Sequence, residues 1–408
     1  MIDPARAQAL VARHCPAPAP ARVDVDDAIG CVLAEDVRAS VALPPFDNSA
    51  MDGYALKSTH TARATASRPI RLQLDGAIYA GDSVRTRLRS GQARAIMTGA
   101  PLPPGADAVL ERELAAVDAG MLVVSRPVSS GRHVRRRGEE VKRGARLLRV
   151  GEPLLAGSAA VLATAGRARV RVYRKPEVAV ITTGNEAVPP GMSLRPGQIF
   201  DSNTAMVTAL VRGSGYRVTR ARRVKDHPGA IRNAAAAALA RAGVVVFTGG
   251  VSVGDRDYLR PVLERLRVRE VFWRVRQKPG KPLYFGTRGR RLVFGLPGNP
   301  ASAFTCFFLY VLPALWRISG VTPPPAAECT LTDTVERDPT RWRFLKGHVT
   351  RRAGSEGNEV MPLPAQASHM TTSLARTNAL IEVPPGSGAI ASGKRVSVHL
   401  LPVGEVVG

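Results

Sequence analysis

The sequence predicts a multidomain α/β protein. Its centre is a doubly wound, mostly parallel sheet, joined by an N-terminal helical and β region, an inserted β-rich domain and a small C-terminal β domain. Three observations lead there. Between residues 177 and 320, apolar strand-like runs alternate with helical segments at the spacing of βα units. Residues 41–139 and 325–408 instead hold short β-like runs between Gly, Pro and Asp turns. The length, 408 residues, exceeds one ordinary domain and points to two to four.

In chain order, Pro4–His14 reads as a helix, Pro16–Pro20 as a Pro/Ala linker and Val23–Leu33 as a second amphipathic segment. After the β-rich stretch, Pro153 suits a first helical turn, the helix should end near Gly166, and a strand follows. That segment is expected to pack back on the N-terminal elements. Residues 1–40 with 140–176 then form one elongated domain, and 41–139 becomes an insertion with strand-like runs at Arg71–Leu74, Ala93–Met97 and Met121–Val124.

The domain at 177–322 opens on Glu177–Thr183, a continuous apolar strand. A helix over about Asn203–Arg212, strand Tyr216–Val224, helix Pro228–Ala242 and strand Val244–Thr248 follow. Next come a helix at Tyr258–Leu266, strand Val271–Arg276 and a hairpin of Pro282–Phe285 with Arg291–Phe294, turning at Arg288-Gly289. An apolar helix begins at Pro300. Residues 323–408, with alternating runs such as Arg395–Leu401, should form a small all-β domain.

Composition narrows the function classes. Hydrophobic residues make up 45% of the chain, enough for sizeable cores, yet no run approaches the roughly 18 uninterrupted apolar residues of a membrane span. The opening MIDPARAQAL lacks an apolar signal core, so a cytoplasmic protein is expected. Cys15, Cys31, Cys306 and Cys329 form no CxxC pair and read as reduced thiols. The charge of +25 comes from 58 basic residues, of which eight are Lys and 50 are Arg, spread along the whole chain. With aromatics at 5% there is no base-stacking platform, so a basic surface that attracts anions is expected instead of a nucleic-acid site.

In open α/β sheets ligands bind beyond the carboxyl ends of the strands, and here those loops carry the chemistry. TTGNE places Glu186 just past a glycine turn, and VKDHP places Asp226 before a Pro-initiated helix. TGGVSVGDRDY holds Gly249, Gly250, Ser252, Gly254, Asp255 and Asp257, with backbone N–H groups expected to stand open for an oxyanion. Asp226 or Asp257 alone reads as a helix cap. Glu186, Asp226 and Asp257 together, on successive strand-end loops, read as oxygen ligands for a hard cation such as Mg²⁺. Lys278 and Lys281, two of only eight lysines, lie within four residues and suit phosphate or oxyanion, with Arg274 as a candidate companion. An ordinary solvated turn is the simpler alternative.

Seven strings in order carry a resemblance. They are PPFDNSAMDGYA at 44–55, IMTGAPLPPGADAV at 96–109, RRRGEE at 135–140, ITTGNE at 181–186, FTGGVSVGDRDY at 247–258, KPGKP at 278–282 and GLPGNPAS at 295–302. Together they resemble the molybdopterin molybdenumtransferases, bacterial MoeA and the E domain of gephyrin-like proteins, over nearly the whole chain. The resemblance implies a four-domain subunit and a homodimer in which one copy's inserted domain completes the other's cleft. It implies roles for Asp52, Thr98, Arg135 and Glu140 on the inserted-domain side. On the cleft side it implies roles for Glu186, Asp226, Asp257, Arg274, Lys278, Pro297 and Pro300, and in the last domain for Ser373.

The implied reaction inserts molybdenum from molybdate into adenylylated molybdopterin, with Mg²⁺ and release of AMP. It also implies transient contact with molybdopterin adenylyltransferase and with acceptor molybdoenzymes. Two rivals stand beside this: a molybdopterin adenylyltransferase, which is shorter and lacks DNSAMDGYA, and a non-catalytic gephyrin-like scaffold. Arg343 stands where many members have an acid, and Lys346 where Arg is common.

Overall fold

A computed structural model describes residues 1–251, 258–351 and 357–402. The chain divides into two compact units, one of Met1–Val23, Gly30–Ala34 and the chain from Arg171 onward, the other of Asp24–Ile29 and Glu35–Val170.

The first unit contains a six-stranded sheet in the order Val218–Val224, Val178–Thr183, Val244–Thr248, Arg291–Leu296, Tyr284–Arg288, Arg269–Trp273. The first four strands are parallel. Tyr284–Arg288 runs antiparallel to both its neighbours, so five of the six share one direction. The apolar runs are continuous because both faces are covered. Val178 and Val180 pack on the side of Val207, Val211 and the helix starting at Pro300, whereas Ala179 and Ile181 pack against Ile231, Ala235 and Leu239.

Most expected elements lie within two residues of their observed bounds: helices Ser202–Gly213, Pro228–Arg241 and Leu259–Arg265, and strand Val244–Thr248. The strand expected at Val271–Arg276 runs Arg269–Trp273 instead. It stops because Arg274 takes φ +70°, a left-handed conformation that no strand continues through. Pro300–Ile318 is long and apolar enough to cross a membrane, but 83% of its apolar window is buried within the protein. Its middle, Phe307–Val311, widens into a π turn just before Pro313, which has no N–H to give to a normal helical ladder.

The C-terminal region closes into a small barrel. Trp342–Arg351, Asn358–Pro362, Ala327–Leu331, Arg395–Leu400 and Ala379–Val383 pair in that order, and the last strand pairs back with the first. Leu331, Leu345, Val360, Ile381 and Val398 fill it. Gln277–Lys278 adds to the outside of the Trp342 strand in parallel register, which ties the lysine turn to the barrel.

In the second unit a six-stranded mixed sheet runs Ala108–Glu111, Gly53–Leu56, Gln92–Ile96, Ile70–Ile78, Met121–Val124, Ala116–Asp118. Leu56, Leu72, Leu110 and Leu122 form one of its cores, and Ala55, Ile78, Ile96 and Val109 another. Arg146–Leu148 pairs with Val37–Arg38, so the segment after the β-rich sheet returns to the residues before it. The expected helix there begins at Ala156, past Pro153, where the Ser158 hydroxyl accepts from Leu155 N–H at 3.1 Å. The amphipathic segment at Val23–Leu33 is not one element. A strand, Pro20–Asp24, gives way to a one-turn helix, Val25–Ala28, and Gly30 at φ +78° ends it.

Candidate functional site

Beyond the carboxyl ends of the parallel strands lies a cleft of about 740 Å³. Glu186, Asp226, Gly249, Gly250, Pro297 and Pro300 line it, as do Thr183, Asp201, Asn203, His369 and Thr371. Local packing dictates the glycines. A Cβ on Gly249, at φ +85°, would stand 2.7 Å from the Thr183 carbonyl oxygen, and one on Gly250, at φ +67°, would stand 3.1 Å from the Thr183 hydroxyl. Two strand-end loops therefore touch backbone to backbone at the cleft floor. The Gly249 N–H is not open as expected: it donates to Leu296 O at 3.1 Å, closing the floor to the next strand.

The acids divide by what they already bind. Asp201 caps the helix Ser202–Gly213, accepting from Thr204 N–H at 2.9 Å. A hydroxyl chain Thr248–Thr182–Thr204 ends on the same carboxylate through contacts of 3.1, 2.7 and 2.5 Å. Its oxygens are committed to the fold. Asp226 is not a cap, contrary to the simpler reading: His227 caps its helix, its Nδ1 accepting from Gly229 N–H at 3.2 Å. One oxygen of Asp226 instead accepts from Asn185 N–H at 3.1 Å. Glu186 is held through its main chain, whose carbonyl accepts from Ile199 N–H at 2.9 Å, and its side chain is exposed in the cleft. Ser252 and Asp257, with Gly254 and Asp255, lie outside the described residues.

Two polar atoms of the cleft are buried without a partner among the described residues: the Thr183 hydroxyl and Asn203 Oδ1. Asn203 donates through Nδ2 to Gly298 O at 2.6 Å, so its orientation leaves Oδ1 as an acceptor in the wall. Orphaned buried polar atoms are rare in native proteins and mark places where a ligand or water completes the bonding.

A second cavity of about 250 Å³ adjoins the cleft and shares Pro282, Pro297 and Asn299 with it. Lys278, Lys281, Arg341 and Arg343 line it, with Ser302 and Ser368, and no acid is among its lining residues. The lysine turn is anchored and not merely solvated. Gln277 is fully buried, donates to Pro279 O at 3.0 Å, and accepts from the Tyr310 hydroxyl on the π turn. Gly280, at φ +98°, lies so close to Cys306 Sγ and Gln277 Nε2 that a Cβ would overlap both. Arg341 is oriented by Asp338 through bonds of 3.0 and 2.7 Å, and Arg343 by the Glu336 carbonyl.

Arg274 and Ser373 are not among the residues lining these cavities. The Arg274 guanidinium lies 3.9 Å from the centroid of the Trp273 ring, which also carries Arg260 at 3.8 Å, while Trp273 Nε1 donates to Val251 O at 3.0 Å. Ser373 is buried and donates to Ala365 O at 3.3 Å, which makes it part of a loop's internal bonding.

In the second unit, Asp52 accepts from both the N–H and the hydroxyl of Thr98, each at 2.8 Å. The Thr98 N–H first, then its hydroxyl, holds the exposed Asp52 carboxyl below the usual range. Arg135 pairs through its backbone with Asn48. Glu140 donates its N–H to Leu43 O at 3.1 Å. Both side chains are exposed. Asp47 joins the two strings, accepting from Arg136 at 3.0 Å and from Arg137 N–H at 2.7 Å.

Sequence reasoning missed Asp201, Asn203, His369 and Thr371. The Asp201-Ser202-Asn203 run carried a visible helix-start signal. His369 and Thr371 sit in the SHMTTS string that ends on Ser373.

Family models match in series along the chain: the MoeA N-terminal region (domains I and II) at residues 2–166, a probable molybdopterin-binding domain at 179–317, and the MoeA C-terminal region (domain IV) at 328–401. The chain is 34% identical to a molybdopterin molybdenumtransferase of Nostoc sp., over 93% of this chain and 88% of that protein. It is 33% identical to one of Bacillus subtilis, over 93% and 89%. A crystal structure of a molybdopterin biosynthesis MoeA protein from Pyrococcus horikosii superposes with a TM-score of 0.81 at 31% identity, covering 98% of this chain and 99% of that one.

Proposed function

The chain belongs to the molybdopterin molybdenumtransferase family, a transferase of molybdenum cofactor biosynthesis, and from that membership we propose the reaction its cleft performs. Adenylylated molybdopterin and molybdate bind together, the two dithiolene sulfurs bond to molybdenum as one molybdate oxygen leaves with their protons as water, and water cleaves the phosphoanhydride, releasing AMP and leaving a phosphate on the pterin. The observation that carries this reading is the junction of two unlike compartments, an acid-bearing cleft and a cavity whose charged lining residues are all cations, sharing Pro282, Pro297 and Asn299.

Each compartment suits one part of the substrate set. The small cavity, with Lys278, Lys281, Arg341 and Arg343 and no acid, fits a tetrahedral dianion such as molybdate. The larger cleft, with a glycine-lined floor and hydroxyl walls, fits the nucleotide-bearing pterin. Among the described residues no three His, Cys, Asp or Glu side chains gather into a ready-made metal cage. Mg²⁺ is usually held by one or two carboxylates plus substrate phosphates. Glu186 and Asp226 would hold it, with Asp257 as a third candidate, whereas Asp201 is committed to its cap. When bound, Mg²⁺ neutralises charge on the phosphates. The protein's own groups orient the two substrates at the shared edge, so that the dithiolene and molybdate meet without diffusing together.

The reading includes a homodimer in which Asp52, Thr98, Arg135 and Glu140 serve the partner copy's cleft. It also includes a cytoplasmic setting and transient contacts with molybdopterin adenylyltransferase and acceptor molybdoenzymes. Sedimentation at micromolar concentration is expected to give a dimer, and a monomer alone would remove the trans arrangement. The test of the reaction is AMP release from adenylylated molybdopterin with and without molybdate and Mg²⁺. Molybdate-dependent release is expected, and its absence would overturn the proposal.

A further inference from the structure

We propose that His369 is a substrate-contacting residue that donates its ring N–H to a phosphate oxygen at the nucleotide end, and that buried Lys346 is the positioning residue that sets it there. The inference rests on the reading of the cleft as the site for a nucleotide-activated pterin.

The segment 363–371 leaves the barrel after strand Asn358–Pro362 and crosses to the α/β domain. Ala301 N–H donates to Ser368 O at 3.1 Å, and Asn299 Nδ2 donates to the Ser368 hydroxyl at 2.9 Å. This docking sets the next residue, His369, into the cleft wall with its side chain exposed. The barrel thus supplies an N–H donor that is uncommitted among the described residues to a cleft whose other titratable lining groups are carboxylates, which is what a phosphate shared with a cation needs. Asn203 Oδ1 and the Thr183 hydroxyl, both more than nine-tenths buried and without a partner among the described residues, mark the same cleft as a place completed by a polar ligand.

The loop is held from behind at a cost. Lys346 is 2% exposed, and its ammonium donates to Ala365 O at 2.6 Å and Met370 O at 3.4 Å. Burial pushes its pKa down, because these carbonyls replace water without supplying a countercharge. Ala365 itself sits at φ +61°, a conformation an alanine avoids unless its surroundings impose it. Gln366 completes the clamp, accepting from Lys346 N–H at 3.0 Å and donating to Lys346 O at 2.9 Å. A buried cation bonded to Ala365 and Met370, and a strained alanine within the same loop, are the signature of a segment held for position.

The experiment compares wild type, His369→Ala, His369→Gln, Lys346→Met and the double variant His369→Ala/Lys346→Met. It measures AMP affinity by calorimetry, KM and kcat for AMP release, and melting temperature. His369→Ala is expected to weaken AMP binding and raise KM about tenfold, as for loss of one charge-assisted bond, at unchanged melting temperature. His369→Gln, which keeps an N–H donor, should recover most of that loss. Lys346→Met should raise KM similarly in the presence of His369, and add little to His369→Ala, because both remove one contact. Unchanged AMP affinity in His369→Ala overturns the contact, and additive effects in the double variant overturn the positioning role. Wild type that binds AMP through His369 but releases none from adenylylated molybdopterin would sink the reaction and leave the contact standing.

Discussion

Asn185 and Asp226 hold each other across two strand-end loops: the main-chain N–H of each donates to the side-chain oxygen of the other, at 3.1 Å in both directions. This reciprocal pair fixes Asp226 beside the loop that carries Glu186, and it separates the acid's structural part from its chemical part. An asparagine at 226 would still accept from Asn185 and leave the His227 cap intact. Asp226→Asn should therefore keep stability within about 0.5 kcal/mol while AMP release falls on the order of a hundredfold. Near-normal turnover would return Asp226 to a purely structural role. The same measurement on Asp257→Asn, beside a melting curve, tests the third acid.

Gly249→Ala should damage the fold as well as the reaction. The left-handed backbone disfavours any side chain, and the new methyl would press on the Thr183 carbonyl, which a strand holds in place. A loss of about 2–4 kcal/mol is expected by denaturant unfolding. Gly289→Ala is the control: Gly289 sits at φ +57° with open space around it and should lose only about 1–2 kcal/mol. Equal effects at the two sites would refute the close-approach account.

Lys278→Ala should act on affinity alone. The side chain is exposed at the cationic cavity, and the turn is held by Gln277 and Gly280, not by the lysine. Half-saturation of AMP release by molybdate is expected to rise about tenfold, with stability shifting by less than about 0.5 kcal/mol. An unaltered molybdate dependence would make the lysine pair an ordinary turn.

Acid stability of the second unit should depend on Glu111. The side chain of Arg132 first, with His133 adding to it, lowers its carboxyl to about 2. A carboxyl depressed on folding contributes stability that is fully present above its unfolded pKa of about 4.3 and is lost as pH falls toward about 2. Glu111→Gln should thus lower the melting temperature at neutral pH, by the equivalent of about 1–2 kcal/mol given Arg132's partial exposure. The gap to wild type should close between about pH 4 and pH 2. A gap that is constant with pH would mean that packing, not charge, accounts for the loss.

Much of the α/β domain was legible because both faces of its strands are buried, which writes uninterrupted apolar runs such as Val178–Thr183 and Val244–Thr248 into the chain. Its loops were legible because strand-end chemistry sits next to those runs. The segment Val23–Leu33 was not, since a strand and a single helical turn share it and neither is long enough to show a period.

By itself the sequence determined the alternation of strands and helices, the loops that carry Glu186, Asp226 and the lysine pair, and the family to which they point. These are local matters, set by periodicity, turn residues and short strings. The tertiary structure decided that His227 and not Asp226 caps the helix, that Gly249 spends its N–H on Leu296, and that Arg274 lies over Trp273 outside the cleft's lining. It also closed the C-terminal strands into a barrel and brought His369 and Thr371 to a wall shared with Glu186, more than 180 residues away in sequence. The reason is the same in each case: which donor meets which acceptor depends on packing between distant segments, and a chain read along its length carries no distance across space.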